Sequence, residues 1–341
     1  MKALVMNEYK KLVYTDVEDP KIADPGDVLL RVKAAAVCGS DARGFDGSTG
    51  RRKPPVIMGH EAAGEVAGTG SAVTAFKKGD RITFDSTVYC GECYFCRNGQ
   101  ANLCDNRVVL GVSCDEYRKD GAFAEYVVVP ERVCYPLPDG LSYEEAALAE
   151  PAAVAAHAVR LSGIGLGDTA AVVGTGVIGL LLIKILRASF SGRVIALDTD
   201  SARRKAALAA GADSAFSPES VEEARRAVGN GGADCAFEAA GVSASVQTAV
   251  AIARKGGSVT LIGNASPTAE LPLQSVVTRQ IRLQGSCAIA GEYPIVLGLM
   301  ARKKIDVKSL ISATAPLCDG QIWFDRLYRR EGGLLKVVLV P

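Results

Sequence analysis

Several features that would place a chain in a special class of protein are scarce in this sequence. Its 341 residues include only two histidines and one tryptophan, and aromatic residues make up 6%. The 39 Lys and Arg balance 38 Asp and Glu, so the net charge is +1. A chain without an excess of positive charge has no overall basic field to hold nucleic acid, and we expect no nucleic-acid partner.

Long hydrophobic runs are also missing. The most apolar stretch, residues 177–186, is short and contains Lys184, whereas a membrane-spanning helix needs about 20 apolar residues. The first ten residues, MKALVMNEYK, turn polar too early for the core of a signal peptide. These absences predict no membrane partner and a cytoplasmic location.

What is present indicates a globular protein of about two domains, since domains usually contain about 100–200 residues. The first part looks β-rich, because Val28, Leu30 and Val32 alternate with other residues in the period-two pattern of a strand. An Ala-rich helix is predicted at 144–161. Beyond it, strands and helices alternate, which is typical of an α/β parallel sheet covered on both faces. The predicted strands are 169–173, 193–198, 235–239 and 258–262, and the helices are 176–188, 201–210 and 244–254.

A dinucleotide-binding fingerprint, G-x-G-x-x-G, lies between the first of these strands and its helix. Gly174 would make the tight turn, Gly176 would let the backbone approach the pyrophosphate, and Gly179 would pack the helix on the strand. Val177 and Ile178 complete the motif at the helix N-terminus, which favours phosphate binding. The alternative is an ordinary glycine-rich turn.

Asp198 lies 19 residues after Gly179, at the end of the second strand of this region. A carboxylate at that place accepts hydrogen bonds from the ribose hydroxyls and repels a 2′-phosphate. The sequence therefore predicts NAD as coenzyme rather than NADP.

Ten cysteines occur, and four of them, Cys90, Cys93, Cys96 and Cys104, follow the spacing C-x2-C-x2-C-x7-C. Four thiolates bind Zn²⁺ tetrahedrally in closed structural sites. An iron–sulfur cluster and buried free thiols are the alternatives. We predict a structural zinc in a reducing compartment rather than a disulfide framework.

Cys38, His60 and Glu150 offer the residue types that hold a catalytic zinc with an open coordination position. They are dispersed along the chain, so no spacing argument joins them. Ser40 follows Cys38 closely, and Glu61 follows His60 directly.

Taken together, these motifs resemble the zinc-dependent medium-chain dehydrogenase/reductase family, nearest its polyol (sorbitol) dehydrogenase branch. The similar segments are 59–64 (GHEAAG), 79–81 (GDR), the four cysteines, 120–126 (DGAFAEY), 150–151 (EP) and 167–168 (GD), with the glycine fingerprint. The resemblance implies a GroES-like β-rich catalytic domain, 1–152 with 286–341, and a Rossmann doubly wound parallel-sheet coenzyme domain, 153–285.

The resemblance also implies roles for single residues. Cys38, His60 and Glu61 match the ligands of the catalytic zinc, and Glu150 matches a carboxylate that either binds the metal or holds its water. Ser40 matches the hydroxyl that relays the alcohol proton. Arg203 matches the partner of Asp198 at the adenosine ribose. Two zinc ions per chain are expected.

The sequence departs from the polyol pattern at two places. Arg43 and Gly44 stand where His and Tyr are usual, and residues 287–290 (CAIA) are apolar where the branch carries Arg-Tyr. Arginine stays protonated and is a poor proton acceptor, so the usual end of the proton relay is missing.

We expect an NAD-dependent zinc enzyme that moves hydride between a secondary alcohol, such as a polyol, and NAD(H), assembled as a homodimer or homotetramer. One alternative is a polyol-phosphate dehydrogenase that uses the basic segment Arg43, Arg51, Arg52 and Lys53. Others are a non-catalytic, crystallin-like NAD-binding protein and a zinc-free quinone reductase.

Overall fold

The computed structural model describes residues 1–114, 118–190 and 192–341 and divides the chain into two compact units. The first unit contains Met1–Glu150 and Ile289–Pro341, and the second contains Pro151–Ala288. The first unit is thus built from two separate stretches of chain. Within the described ranges, no helix combines the length and apolar character needed to cross a bilayer.

The first unit is rich in β-structure. Its strands are β1 (Lys2–Glu8), β2 (Lys11–Asp16), β3 (Asp27–Ala36), β4 (Val56–Ile57), β5 (Glu61–Thr69), β6 (Arg81–Phe84), β7 (Thr87–Val88), β8 (Val108–Val109), β9 (Tyr126–Pro130), β10 (Cys134–Pro136), β17 (Ile311–Pro316) and β18 (Lys336–Val340). Its helices are α1 (Gly39–Gly44), α2 (Tyr94–Arg97), α3 (Tyr143–Ala147), α10 (Tyr293–Ala301) and α11 (Gly320–Tyr328). Short 3₁₀ turns lie at Ala101–Leu103, Glu131–Val133, Lys308–Leu310 and Leu317–Asp319.

Most of these strands belong to a seven-stranded sheet with the order β10-β6-β5-β3-β18-β17, in which β9 also pairs with β3. The predicted alternation in β3 is confirmed, because Val28, Leu30 and Val32 are all buried in the core of this unit. Strand β18 comes from the distant end of the sequence and pairs antiparallel with β3 through Val338 and Leu339. The central strand β3 therefore holds the two separate stretches of the unit together.

The second unit is a six-stranded parallel sheet with the order β13-β12-β11-β14-β15-β16. Its strands are β11 (Ala170–Val173), β12 (Val194–Leu197), β13 (Ser214–Phe216), β14 (Ala233–Glu238), β15 (Ala253–Leu261) and β16 (Arg282–Gly285). Its helices are α5 (Val177–Ser189), α6 (Ser201–Ala209), α7 (Val221–Val228), α8 (Ser243–Ile252) and α9 (Leu273–Thr278), with a 3₁₀ turn at Pro218–Ser220. The α/β parallel sheet predicted for this region is confirmed.

The helical run predicted at 144–161 is confirmed except at Leu148, where the structure divides it into two helices. The structure has α3, which ends at Ala147, and α4 (Ala149–Ser162), which begins in the first unit and continues into the second. The Leu148 N–H bonds to the Glu145 carbonyl three residues back. Pro151 has no N–H to donate to the Ala147 carbonyl, so the chain cannot continue as one regular helix through this point.

Candidate active site

Four cysteine side chains converge in one loop of the first unit. Cys90 Sγ lies 3.9 Å from Cys96 Sγ and 3.5 Å from Cys104 Sγ, and Cys93 Sγ lies 3.5 Å from Cys96 Sγ. Sulfurs at the corners of a tetrahedral zinc site, about 2.3 Å from the metal, are separated by about 3.8 Å. The four thiols are brought to the separation that zinc requires, and none is in a disulfide.

The pKa values of these thiols also indicate that a cation is needed to hold all four as thiolates. The backbone N–H groups of Glu92 and Cys93 lower the pKa of Cys90 to about 6. Burial, together with hydrogen bonding between the protonated Cys96 thiol and its neighbouring cysteines, raises the pKa of Cys96 to about 12. Like charges so close together cannot all form unless a metal neutralises them. The loop therefore fits a closed zinc site.

A second group of metal-ligating side chains lies in the same unit. Cys38 caps the N-terminus of α1 directly after β3, His60 precedes β5, and Glu61 is the first residue of β5. Because β3 and β5 pair antiparallel with Ala36 opposite Glu61, residues far apart in sequence meet at one end of this strand pair. A ligand atom of each of the three residues lies within 4.8 Å of the others.

A buried lysine holds one of these ligands. Lys336 Nζ, at the start of β18, donates to Glu61 Oε1 at 2.6 Å and to the Val37 carbonyl at 3.1 Å. Both side chains are almost fully buried. Sequence reasoning missed Lys336, since no motif surrounds it.

The acids of the site lack sufficient positive charge in the protein alone. Burial raises the pKa of Glu61 to about 8 even though the charge of Lys336 opposes the shift. Burial likewise raises the pKa of the half-buried Glu150 to about 8, where His60 opposes and Glu61 reinforces the shift. Glu150 therefore interacts electrostatically with His60 and Glu61, although its carboxylate oxygens are not among the ligand atoms that lie within 4.8 Å of one another. Both carboxyl groups and the Cys38 thiol share the charge of one buried lysine, Lys336, whose Nζ also lies 2.5 Å from Glu61 Oε2, and this arrangement fits a divalent metal.

Asp41, the fourth residue of the Cys38–Asp41 segment, is a further member of the site. Its Oδ2 lies 3.5 Å from His60 Nδ1 and accepts a 3.4 Å hydrogen bond from the Cys38 N–H. Burial acts to raise the pKa of Asp41, but the charges of His60 and Arg52 outweigh it and the pKa lies below the ordinary value. A carboxylate beside a metal-binding imidazole commonly fixes its orientation.

The basic segment does not act as one surface. Arg52 is 3% exposed and pairs with the fully buried Asp41, whereas Arg43, Arg51 and Lys53 are exposed. The expectation that all four face an anionic ligand is therefore wrong for Arg52. Neighbouring charges in sequence gave no sign of this difference, because its partner lies eleven residues away.

Ser40 is exposed on α1, and its Oγ donates to Cys38 Sγ at 3.2 Å. A hydroxyl beside a metal-ligating sulfur can accept one proton and donate another. Arg43 lies one turn further along the same helix and is exposed.

In the second unit the glycine fingerprint forms the turn between β11 and α5. Gly174 has φ +88°, a conformation that favours glycine, and a Cβ on Gly179 would lie 2.0 Å from the Gly174 carbonyl oxygen. A Cβ on Gly176, the N-cap of α5, would meet nothing within 4 Å. Among the described residues, no side chain caps this end of α5, which begins with Val177 and Ile178. Open space at an uncapped helix N-terminus fits a phosphate group.

Asp198 follows β12 and is 7% exposed. Its Oδ2 accepts hydrogen bonds from the Thr175 N–H at 2.7 Å and the Thr175 hydroxyl at 3.1 Å, and its Oδ1 accepts one from the Asp200 N–H at 2.9 Å. The acid is thereby fixed beside the glycine turn. Sequence reasoning missed Thr175, although it lies inside the motif.

Arg203 is exposed in the first turn of α6, and its backbone N–H is 3.4 Å from Asp200 Oδ1. The next residue, Arg204, donates to the carbonyls of Asp198 and Thr199 at 2.8 and 2.9 Å. Arg204 therefore supports the turn after β12.

Glu238 ends β14, next to β11 in the parallel sheet. Its Oε1 accepts hydrogen bonds from the N–H groups of Ala240 and Gly241 at 2.8 and 2.7 Å, whereas its Oε2 is buried and has no hydrogen-bond partner in the part of the chain that the structure describes. Ligands of open parallel sheets bind at the carboxyl ends of the strands. The unpaired oxygen lies at this edge, as expected if a bound molecule completes it.

The chain matches two family models, the alcohol dehydrogenase GroES-like domain over residues 24–139 and the zinc-binding dehydrogenase domain over residues 177–302. It is 33% identical to sorbitol dehydrogenase of Bacillus subtilis, over 100% of this chain and 97% of that protein. It is 32% identical to D-xylulose reductase A of Aspergillus oryzae, over 97% and 94%. Among solved structures, a protein of Sinorhizobium meliloti 1021 with NADP bound has a TM-score of 0.89 at 31% identity, over 100% and 99% of the two chains.

The chain belongs to the zinc-dependent medium-chain dehydrogenase/reductase family, as its motifs predicted. It is an oxidoreductase with a GroES-like domain and a Rossmann-type parallel sheet.

Proposed function

We propose that the chain catalyses reversible hydride transfer between a secondary alcohol of the polyol class and NAD, with one catalytic and one structural zinc. The observation that carries the proposal is the group of Cys38, His60 and Glu61, whose ligand atoms lie within 4.8 Å. In this proposal the catalytic domain contains 1–152 and 286–341, and the coenzyme domain contains 153–285.

Zinc held by Cys38, His60 and a neighbouring carboxylate would act as a Lewis acid on the alcohol oxygen and lower its pKa. Cys38 and His60 supply a thiolate and an imidazole. For the third ligand we favour Glu150 over Glu61, because Lys336 already holds Glu61 at 2.6 Å. Glu61 then serves as a buried countercharge beside the metal.

Ser40 is the proposed first proton acceptor. Its hydroxyl is exposed and lies next to Cys38 Sγ, so it can take a proton from the alcohol and pass its own to water. Arg43 cannot accept that proton, because a guanidinium stays charged. We therefore expect Ser40→Ala to lower kcat about a hundredfold or more, the usual value of a positioned proton-transfer group, and Arg43→Ala to have a much smaller effect.

Asp198 supports NAD over NADP, since a fixed carboxylate would repel a 2′-phosphate. We expect kcat/KM with NAD⁺ to exceed that with NADP⁺ by about tenfold or more, and Asp198→Ala to reduce this ratio. A wild-type preference for NADP⁺, the coenzyme of the similar Sinorhizobium meliloti structure, would contradict the assignment.

The polyol class rests on the relatives named sorbitol dehydrogenase and D-xylulose reductase. The decisive experiment is a kinetic panel of simple secondary alcohols, polyols and polyol phosphates with both coenzymes. Highest kcat/KM for a neutral polyol supports the proposal. A phosphate preference that weakens with added salt would instead support the anionic alternative through Arg43, Arg51 and Lys53.

We also propose that the protein is a cytoplasmic homodimer or homotetramer. In the described sheet, β16 is an edge strand, and nearby Leu273 and Val277 on α9 are 63% and 68% exposed. An unpaired edge flanked by exposed apolar side chains is suited to pairing with a second copy. A monomeric mass in light scattering would contradict the oligomer.

A further inference from the structure

Arg52 makes buried contacts that its exposed sequence neighbours do not share. Its Nε and Nη2 donate to Asp41 Oδ1 at 3.1 and 2.7 Å, and both side chains are at least 97% buried. Its stem packs directly on α1, since a Cβ on Gly44 would lie 2.7 Å from Arg52 Cγ. The guanidinium is therefore fixed on the helix that begins at Cys38.

Through Asp41 this guanidinium is linked to two metal-ligating residues. Arg52 occupies Oδ1, which leaves Oδ2 for the Cys38 N–H at 3.4 Å and His60 Nδ1 at 3.5 Å. With Nδ1 directed at Asp41, Nε2 is the nitrogen of His60 left for a metal. Without Arg52, the buried negative charge of Asp41 would raise the free energy of the folded state. The carboxylate would then rotate away from His60 or become protonated.

Arg52 also reaches the proposed proton acceptor. Its Nη2 lies 3.4 Å from Ser40 Oγ, whose own hydroxyl donates to Cys38 Sγ. A donor on one side and a sulfur acceptor on the other restrict the rotation of this hydroxyl.

We propose that Arg52 is a positioning residue of the active site, which holds Asp41 toward His60 and Cys38 and restrains the Ser40 hydroxyl. This inference rests on the proposed function of the Cys38–His60 group as a zinc site. It excludes Arg52 from binding an anionic substrate, because the side chain is already engaged and buried.

The competing explanation is that Arg52 only anchors the segment between α1 and β4. Such an anchor would affect the free energy of unfolding without a specific effect on metal retention. A positioning residue of the ligand shell typically changes metal affinity about 10–100-fold. The four-cysteine site in the same unit provides an internal reference, since in the described part of the chain the hydrogen bonds of Arg52 go to Asp41, Ser40 and the Arg51 carbonyl and not to that site.

The experiment measures zinc retained per chain during exposure to a chelator, for wild type, Arg52→Met, Asp41→Asn and the double variant. Arg302→Met, which removes an exposed arginine from the same unit, is the matched control. We expect Arg52→Met to lose one of two zinc ions about tenfold faster than the control. If Arg52 acts through Asp41, the double variant stays within about threefold of the more affected single variant.

Cobalt substitution gives a readout independent of turnover, because the visible spectrum of the Cys38–His60 site should change in Arg52→Met while that of the four-cysteine site does not. If Arg52→Met does not fold, Arg52→Lys provides the test. Lysine keeps the positive charge but lacks the planar guanidinium group that bridges Asp41 and Ser40. The Arg52→Lys variant should lose zinc several-fold faster than wild type.

Three results would each overturn the inference without affecting the proposed zinc site. Arg52→Met could lose zinc at the rate of the control, or Arg52→Lys could lose it at the wild-type rate. The third is a double variant whose rate of zinc loss rises by the product of the two single effects. Wild-type protein that binds only one zinc ion would instead overturn the proposed function.

Discussion

The two groups of metal-ligating side chains are built in opposite ways. The four-cysteine loop draws all its ligands from 15 consecutive residues and is organised by nearby backbone groups, such as the Cys90 N–H, 3.2 Å from Cys104 Sγ. The Cys38–His60–Glu61 group draws on β3, α1, β5 and β18, and depends on the buried cations Arg52 and Lys336.

The difference shows how locality governs what a site can do. A local loop of like ligands closes around its metal and stabilises the fold. A site collected from distant strands can mix thiolate, imidazole and carboxylate, and can place polar groups such as Ser40 beside them. Such a site depends for its stability on ion pairs between residues that are far apart in the sequence.

The largest effect that tests this comparison is expected for Cys38→Ser. Loss of this ligand should lower kcat/KM at least about a thousandfold, because the Lewis acid supplies several kcal/mol of transition-state stabilisation. Zinc content should fall from two to one per chain, with an unchanged circular dichroism spectrum. Unfolding of this variant would erase the distinction between the two sites.

Cys93→Ser should act mainly on stability. Loss of a ligand from the closed site should cost several kcal/mol, which for a unit of this size lowers Tm by about 10 °C. Calorimetry on Cys93→Ser and on Cys318→Ser, which changes an exposed cysteine, provides the measurement and its control. Equal Tm values for the two variants would argue against a structural role for the loop.

Lys336→Met is expected to have a smaller effect than either cysteine variant, and to act at the Cys38–His60–Glu61 group. Breaking this buried pair should cost about 3 kcal/mol in the free energy of unfolding, because Glu61 loses its cation. The double variant with Glu61→Gln should recover most of that loss. Lys33→Met removes a partly exposed pair with Glu65 in the same sheet, at 3.9 Å, and should cost less than about 1 kcal/mol in denaturant titrations.

Sequence reasoning succeeded where the determinants are local. The spacing of the four cysteines and the glycine fingerprint contain most of their own geometry, and so does the alternation in β3. The family resemblance supplied Cys38, His60 and Glu61, which periodicity could not have joined.

It failed where the determinants are distant. Lys336 lies 275 residues from Glu61, and the burial of Arg52 depends on the path of the chain between α1 and β4. A run of basic residues is usually a solvated face, so nothing in residues 51–53 distinguishes the buried arginine from its exposed neighbours. The break at Leu148 is an exception, because it follows from the missing N–H of the nearby Pro151 and could have been predicted from the sequence.

The late position of β18 imposes an order on events during synthesis. The four-cysteine loop has all its ligands once residue 104 has left the ribosome, so it can take up zinc early. Glu61 lacks its lysine partner until Lys336 emerges, and β3 lacks one of its sheet neighbours until then. Glu61 and Glu150 are therefore synthesised long before Lys336 can contact Glu61. The Cys38–His60–Glu61 group is for this reason the later of the two metal-ligating groups to form.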